Sequence, residues 1–303
     1  MLMSIIAILS FLAAAVYGFA AALPAAQLWK CALIFVLGVP VLTVLYVLSA
    51  AVVSLFVDPS WPRKKQSALC RGYVAGGGDI CCFYCGVRTH VSGTEKLPAD
   101  GRFLLVANHR SLFDPLALFH ALRPYNLAFI SKPSNMRLPV LGRLAAGACF
   151  LPIDRENDRE ALKSILCAAD YLKRDLCSIC IYPEGTRSKT RELLPFHHGS
   201  FKIAQRAHVP LVIASVSGTD LVKKNVLRRP TDVYIDVLEC IPADEVRAQT
   251  TAALSDHARE AIGAALIEQS APLTHTDDKN PARVLSGKAL DKALFPAEDI
   301  LIR

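Results

Sequence analysis

The stretch FLLVANHRSLFD, residues Phe103–Asp114, decides the fold of this chain. Its first part, Phe103–Val106, is an unbroken apolar run that suits a strand covered on both faces. A helix-like apolar run begins at Pro115, directly after the stretch. His109 therefore stands where a buried strand ends and a helix begins, and Asp114 follows five residues later. Open α/β sheets bind their ligands at such junctions.

The pair formed by His109 and Asp114 has the chemistry of a general base and its partner. A neutral imidazole accepts a proton near pH 7, and a carboxylate on its second nitrogen fixes the tautomer and stabilises the imidazolium. In a chain with eight histidines, one such spacing also arises by chance. None of the other histidines has an aspartate five residues later. The surroundings of the pair must decide between chance and catalysis.

Strand and helix patterns alternate on both sides of this junction. The pattern predicts an α/β domain with a mixed, largely parallel sheet flanked by helices. Predicted strands cover residues 87–91, 126–131, 178–182, 211–216 and 232–238. Predicted helices cover 136–148, 159–173 and 243–269, and the second has an apolar stripe of Leu162, Ile165, Leu166, Ala169 and Leu172.

Two long segments without a charged side chain precede this domain, Met1–Leu23 and Cys31–Val57. Each is long enough as a helix to cross roughly 30 Å of hydrocarbon, so a transmembrane helical hairpin is predicted. A cleaved signal peptide is the alternative for the first segment, although its start lacks the usual Lys or Arg. Basic residues at 63–65 and 71 follow the second segment. The positive-inside rule therefore predicts an integral protein of the cytoplasmic membrane with its catalytic domain in the cytoplasm.

These features predict four regions. Residues 1–57 form the two transmembrane helices, and 58–95 form a juxtamembrane connector with an interfacial helix that the glycines at 76–78 interrupt. An ordinary first helix of the soluble domain is the alternative for that connector. Residues 96–270 form the α/β domain, and 271–303 are a C-terminal tail without a strong pattern.

The formal net charge of +7 suits anionic lipid headgroups and phosphorylated substrates. Nucleic acid is a weaker explanation, because no basic and aromatic stripe accompanies the charge. Ten cysteines include the CxxC pairs Cys82–Cys85 and Cys177–Cys180, which have a zinc-like spacing. The second pair enters a strand, however, where residues i and i+3 point to opposite faces. We expect no metal, no structural disulfides in the cytoplasm, and cysteines that act as small buried hydrophobes.

Cations and a tight turn follow other predicted strands. In IYPEGTRS, residues 181–188, Gly185 permits close backbone approach to a ligand and Arg187 offers a planar fork suited to phosphate. Lys132 and Arg155, the latter in FLPIDR, also stand at strand ends. Each could be an ordinary solvated residue, but three cations at strand ends of one sheet favour an anion site. His197 and His198 are expected in a solvated basic helix start.

Four blocks of sequence together carry a resemblance: Asn108–Ser111 with Asp114, FLPIDR at 150–155, YPEGTRS at 182–188 and VPLV at 209–212. Their order and rough spacing resemble those of the glycerolipid acyltransferases with the His-x4-Asp motif. The chain is similar to the bacterial 1-acyl-sn-glycerol-3-phosphate acyltransferases over about residues 96–218. This resemblance implies that His109 takes the proton from the hydroxyl of lysophosphatidate, which attacks an acyl thioester directly. Asp114 would orient and stabilise His109.

The resemblance also implies roles for other residues. Those implied to hold the substrate's glycerophosphate are Arg155, Glu184, Gly185, Thr186 and Arg187, with Lys132 as a further phosphate contact. Because a carboxylate repels phosphate, Glu184 is expected to hold a backbone group or a cation instead. Ser111 is expected to cap the helix. The fourth block resembles an acyl-donor region but equally suits plain sheet core.

No cofactor is implied, since acyl-CoA or acyl carrier protein serves as the co-substrate. The expected partners are lysophosphatidate, the acyl thioester and membrane lipids, with acyl carrier protein as an alternative donor and no nucleic acid. The acceptor could instead be glycerol-3-phosphate or another lysophospholipid. A different class, a non-catalytic membrane protein that binds lipid or metal, also stays open at this point.

Overall fold

The computed structural model describes residues 1–190, 192–226 and 228–270, so the expected tail at 271–303 lies outside the described residues. The helices are α1 Leu2–Ala20, α2 Trp29–Leu55, α3 Ala68–Tyr84, α4 Asp114–Ala121, α5 Pro133–Met136, α6 Leu141–Gly147, α7 Asp158–Lys173, α8 Lys202–Ala207, α9 Thr219–Asn225, α10 Ala243–Ala248 and α11 Thr251–Ser270. The strands are β1 Val87–Ser92, β2 Leu104–Ala107, β3 Leu127–Ser131, β4 Leu151–Pro152, β5 Ser178–Ile181, β6 Leu211–Ser217 and β7 Thr231–Ile241.

The strands form one sheet in the order β1-β7-β6-β2-β5-β3-β4. Every neighbouring pair is parallel except β6 and β7, which confirms the mixed, largely parallel sheet. The five neighbours β6, β2, β5, β3 and β4 all run in the same direction. Their carboxyl ends therefore meet along one edge of the sheet, which we call the carboxyl edge.

Both faces of the sheet are covered. Successive residues of β2 alternate between two apolar cores: Leu104 and Val106 join the core under α7, α8 and α11, whereas Leu105 and Ala107 join the core under α3, α4 and α6. All four residues are completely buried. The apolar run that precedes His109 is thus the doubly covered strand that its composition predicted.

The predicted apolar segments form the helical hairpin of α1 and α2, and both helices are long and apolar enough to cross a membrane. Only 22% and 6% of their most apolar stretches are buried within the protein, so most of their apolar side chains face outward. The end of α2 is different, since Ala50 joins the core beneath α3 and Val53 and Val57 pack against it. Helix α2 thus connects the hairpin to the α/β domain.

The glycines at 76–78 do not interrupt α3, contrary to the sequence prediction. A Cβ atom at Gly76 would overlap the Tyr46 hydroxyl, so this glycine allows α2 to lie close to α3. The helix packs against α4 and α6 as an ordinary helix of the domain. Strand β1 also belongs to the sheet, so the proposed boundary at residue 96 falls between two strands of one sheet.

One predicted helix is shorter in the structure and another is split. The helix predicted at 136–148 begins only at Leu141 as α6, after Pro139, because proline lacks the amide that a continuous helix requires; α5 ends at Met136. The segment at 243–269 divides into α10 and α11 at Gln249, whose backbone is extended. Thr250 then begins the second helix, as its Oγ1 accepts a hydrogen bond from the Ala253 amide at 3.1 Å.

The apolar stripe predicted for α7 is partly exposed. Leu162 and Leu166 are 47% and 42% exposed. The buried face of α7 lies beside these leucines and carries mainly small side chains. The buried residues of α7 are Ser164, Cys167, Ala168, Ala169, Tyr171 and Leu172. Small side chains let the helix lie close to the sheet, and this shifts the contact face away from the larger leucines.

Candidate active site

The side chain of Asn108 fixes the end of β2 and thereby the position of His109. Its Nδ2 donates to the carbonyl of Val216 and its Oδ1 accepts from the amide of Val216, each at 2.8 Å. The buried amide therefore continues the pairing of β2 with β6 for one further residue. His109 follows directly at the carboxyl edge, with 17% of its side chain exposed.

Asp114, the first residue of α4, is completely buried beneath His109. Its Oδ2 accepts from His109 Nδ1 at 2.8 Å and from the amides of Arg110 and Ser111 at 2.7 Å each. An ionised carboxylate only accepts hydrogen bonds, so Nδ1 carries the proton and Nε2 is left to accept one. The side chain of Ser111 accepts from the Phe113 amide at 3.2 Å, within the turn that starts the helix.

The loop after β5 holds the backbone of His109 from both sides. The buried Glu184 accepts from the His109 amide at 2.6 Å through Oε1 and from the Leu194 amide at 3.0 Å through Oε2. The amide of Ser188 donates to the His109 carbonyl at 2.8 Å. Burial raises the pKa of Glu184, and the two amide hydrogen bonds oppose that rise. Glu184 thus has backbone partners, one of the two kinds expected for it.

Tyr182 supports the ring of His109 and was not singled out in the sequence. The two rings stack with their centroids 4.2 Å apart and an interplanar angle of 13°. Tyr182 also lies against Phe129, at a centroid distance of 6.3 Å. Its hydroxyl is buried and, among the described residues, has no hydrogen-bond partner. The imidazole therefore has an apolar aromatic wall on one face and the Asp114 carboxylate at one edge.

Gly185 brings two distant segments together. Its φ of +75° is in the left-handed region, which favours glycine. A Cβ atom there would lie 2.8 Å from His197 Nε2 and 3.5 Å from Arg155 Cδ. His197, expected on a solvated helix start, is exposed but stands over this turn, and its amide donates to the Pro183 carbonyl at 2.8 Å.

The other candidate residues lie exposed along the same edge. Lys132 follows β3, Arg155 follows β4, and Thr186 and Arg187 follow β5, on strands that are consecutive neighbours of β2. Three exposed cations on the same edge of the sheet as the histidine favour an anion in front of this edge. The sequence had placed them at strand ends, and the strand order brings these ends together.

Neither CxxC pair lies in a metal cluster. Among the described residues, no group of three or more His, Cys, Asp and Glu side chains is arranged to hold a metal ion. All ten cysteines are free thiols. Six of them are buried, as expected for small hydrophobic residues: Cys70, Cys82, Cys149, Cys167, Cys177 and Cys180.

Comparison with known proteins adds a second line of observation. The sequence model of the family described as Acyltransferase matches residues 88–217. A Salmonella typhimurium protein named 1-acyl-sn-glycerol-3-phosphate acyltransferase is 31% identical over 198 residues, which cover 64% of this chain and 77% of that protein. A protein of the same name from Cocos nucifera is 36% identical over 61% of this chain and 59% of its own length.

A solved structure shares the fold. The 1-acyl-sn-glycerophosphate acyltransferase of Thermotoga maritima aligns with a TM-score of 0.56 at 23% identity, over 67% of this chain and 83% of that one. The alignments with curated relatives cover between 52% and 77% of those proteins' lengths. The region that the family model matches, residues 88–217, contains the histidine, the aspartate and the loop after β5.

Proposed function

The chain belongs to the glycerolipid acyltransferase family and is an acyltransferase; on that premise we propose that it acylates the 2-hydroxyl of lysophosphatidate to give phosphatidate. The relatives' names support the choice of acceptor. The observation that carries the proposal is the hydrogen bond between His109 Nδ1 and the buried Asp114, which leaves Nε2 able to act as a base at the carboxyl edge.

The proposed reaction is a direct transfer. His109 Nε2 takes the hydroxyl proton while the hydroxyl oxygen attacks the carbonyl carbon of the acyl thioester. The new C–O ester bond forms, the C–S bond breaks, and the proton passes from His109 to the leaving thiolate. Asp114 stabilises the imidazolium that exists between these two proton transfers.

The cations at the carboxyl edge would bind the acceptor's phosphate. Arg155 and Arg187 can each donate two parallel hydrogen bonds to phosphate, and Lys132 adds a compact charge. Gly185 and Thr186 would let the phosphate approach the turn closely. Glu184 would act through the backbone of His109, because a carboxylate does not attract phosphate. The exposed positions of the cations after β3, β4 and β5, the approach of Arg155 to the Gly185 turn and the hydrogen bond from the His109 amide to Glu184 support this proposal.

We propose acyl-CoA or acyl carrier protein as the donor, with neither metal nor cofactor involved. The reaction needs only the thioester, the hydroxyl and a base, and acyl transfer of this kind contains no redox step. The two apolar helices support a place in a membrane. We propose the cytoplasmic membrane, with the catalytic domain on the cytoplasmic side.

The direct test is acyl transfer by detergent-purified protein supplied with labelled lysophosphatidate and acyl-CoA. The change His109→Ala should lower turnover by about 10²- to 10⁴-fold, which is the usual contribution of a general base. His90→Ala is a matched control, since His90 also pairs with an aspartate, Asp232, at 2.8 Å, but on the exposed far side of the sheet. This control should retain wild-type turnover.

A folded wild-type protein that forms no phosphatidate should next be given acyl carrier protein donors, glycerol-3-phosphate and other lysophospholipids. Product with one of these would correct the donor or the acceptor. Failure with all of them would contradict the proposal.

A further inference from the structure

A buried threonine completes the surroundings of Asp114. Thr219, the first residue of α9, is 1% exposed, and its hydroxyl donates to Asp114 Oδ1. The other oxygen, Oδ2, already accepts from His109 and two backbone amides. A carboxylate cannot donate, so the threonine hydroxyl must be the donor.

The sheet order places this threonine beside the aspartate. Thr219 follows β6 and Asp114 follows β2, and these strands are parallel neighbours whose carboxyl ends meet. Gly218, with a φ of +84°, turns the chain from β6 into α9. A Cβ atom there would overlap the carbonyl of Asp232, so only glycine fits the turn that delivers Thr219.

We infer that Thr219 is a positioning residue, which keeps the Asp114 carboxylate aligned with His109 and weakens the pull of that carboxylate on the proton that His109 takes up. The inference rests on the proposed function. A hydroxyl that donates to Oδ1 draws negative charge away from the oxygen facing His109. Without it, the buried carboxylate would hold the imidazolium proton more strongly, because opposite charge favours the protonated form of histidine. The base would then become available only at higher pH.

The other ionisable groups around this pair remain in place when Thr219 is changed. Glu184 contacts the backbone of His109, and the charged Arg110 adjoins it in sequence. From β5, the buried Cys180 and the adjacent Tyr182 lie near Asp114, and burial raises the pKa of both groups well above their ordinary values. Cys180 and Tyr182 are therefore neutral throughout the pH range of the acid limb. A difference between Thr219 variants in that range reports on the hydroxyl.

The test compares Thr219→Val, which keeps the shape but loses the hydroxyl, with Thr219→Ser, which keeps the hydroxyl. The acid limb of the pH profile of kcat/KM should move upward by about half a pH unit or more in the valine variant, with kcat lowered about tenfold. The KM for lysophosphatidate should change little. The serine variant should restore the wild-type acid limb.

Thr231→Val is the matched control for loss of a buried hydroxyl. Thr231 is 2% exposed, and its Oγ1 accepts from Asn225 Nδ2 at 3.0 Å, at the other end of α9. This variant should lower the unfolding temperature without moving the acid limb. An unmoved limb in folded Thr219→Val, or an equal movement in Thr231→Val, would overturn the inference while the proposed function stands. An inactive wild-type protein would remove the proposed function and this inference together.

Discussion

At the level of single residues, the position of His109 depends on the loop after β5 as much as on Asp114. Glu184 and Ser188 of that loop bond to the amide and the carbonyl of His109, and Tyr182 stacks on its ring. A change that shifts this loop should therefore act on the proposed base without touching it. Precise placement of a catalytic group is worth several kcal/mol in general, and small displacements are costly.

Gly185→Ala should lower both stability and activity. The left-handed backbone costs alanine roughly 1–2 kcal/mol, and the new methyl group would also press on His197. Gly101→Ala is the control, because Gly101 has a φ of +82° but open space around its Cβ position. Thermal unfolding should show a loss of stability in both variants, larger at Gly185, whereas turnover should fall only in the Gly185 variant. Equal turnover in the two variants would contradict a role for this turn.

Glu184→Gln should change how stability depends on pH. Burial raises the pKa of Glu184 above its ordinary 4.5, so the folded protein binds this proton more tightly than the unfolded chain. The wild-type protein should therefore lose stability, relative to the glutamine variant, as the pH rises from about 4.5 through the raised pKa. Unfolding temperatures measured across that range test this. If the difference in unfolding temperature between the two proteins stayed constant across that pH range, Glu184 would have no raised pKa.

The sequence identified His109 and Asp114 because their spacing is local and their chemistry is distinctive. It placed Lys132, Arg155 and Arg187 at strand ends for the same reason. Tyr182, His197 and Thr219 were not assigned roles, since their contacts depend on which strands are neighbours. That information lies in the sheet order, and local patterns do not contain it.

At the level of elements, α3 is the helix of the domain against which α2 packs. Its two neighbouring glycines provide a matched pair, because a Cβ atom at Gly76 would overlap Tyr46 whereas one at Gly77 would meet open space. Gly77→Ala should stabilise the protein by up to about 1 kcal/mol through helix propensity. Gly76→Ala should destabilise it by about 1–3 kcal/mol through overpacking. Thermal unfolding in detergent distinguishes them, and equal shifts would contradict the close packing of α2 on α3.

Asp79 connects α3 to α4 and to the start of α1 through polar contacts. Its carboxylate accepts from His120 at 2.6 Å, from Arg123, and from the Leu2 amide at 2.9 Å. Burial would raise the pKa of Asp79, but these hydrogen bonds and the charge of Arg123 outweigh burial and hold it well below its usual range.

Asp79→Asn should therefore destabilise the protein by about 2 kcal/mol at neutral pH, because it removes the charge that pairs with the partly exposed Arg123. A lowered pKa gives stability that is present above the unfolded value of 3.8 and is lost as the pH falls through the folded value. The difference in unfolding temperature between the two proteins should thus shrink below about pH 4. A difference that persists in acid would mean that packing, and not charge, is responsible.

Most elements could be predicted because strongly apolar strands and long periodic helices have clear patterns. The errors lie where a local contact overrides the pattern. Gly76 is tolerated within α3 because α2 occupies the space of its missing side chain. Helix α6 begins only after Pro139, and α10 ends at the extended backbone of Gln249, and neither feature is part of the hydrophobic period.

At the level of the whole molecule, the proposed orientation in the membrane can be tested by thiol labelling of intact cells. Cys240 of the α/β domain is partly exposed, whereas Leu28 lies in the connection between α1 and α2. In a Cys31→Ala background, Leu28→Cys should react with an impermeant maleimide from outside. Cys240 should react only after the membrane is permeabilised. Labelling of Cys240 in intact cells would contradict the topology.

The hairpin, the α/β class and the family resemblance were all accessible from the sequence, since each depends on composition or on ordered motifs. The antiparallel β7 and the neighbouring positions of β6 and β2 were not. They follow from how the last strand returns across the sheet, which is a property of packing.

Because α2 extends from the exposed hairpin into the core beneath α3, the domain is held at a set distance from any bilayer that the hairpin enters. An acceptor lipid would then reach the enzyme by lateral diffusion in two dimensions. Its mole fraction among the surrounding lipids, and not its amount per volume of solution, would set the rate of encounter. Adding inert lipid to reconstituted vesicles should accordingly slow turnover even when the total amounts of enzyme, acceptor and donor stay the same.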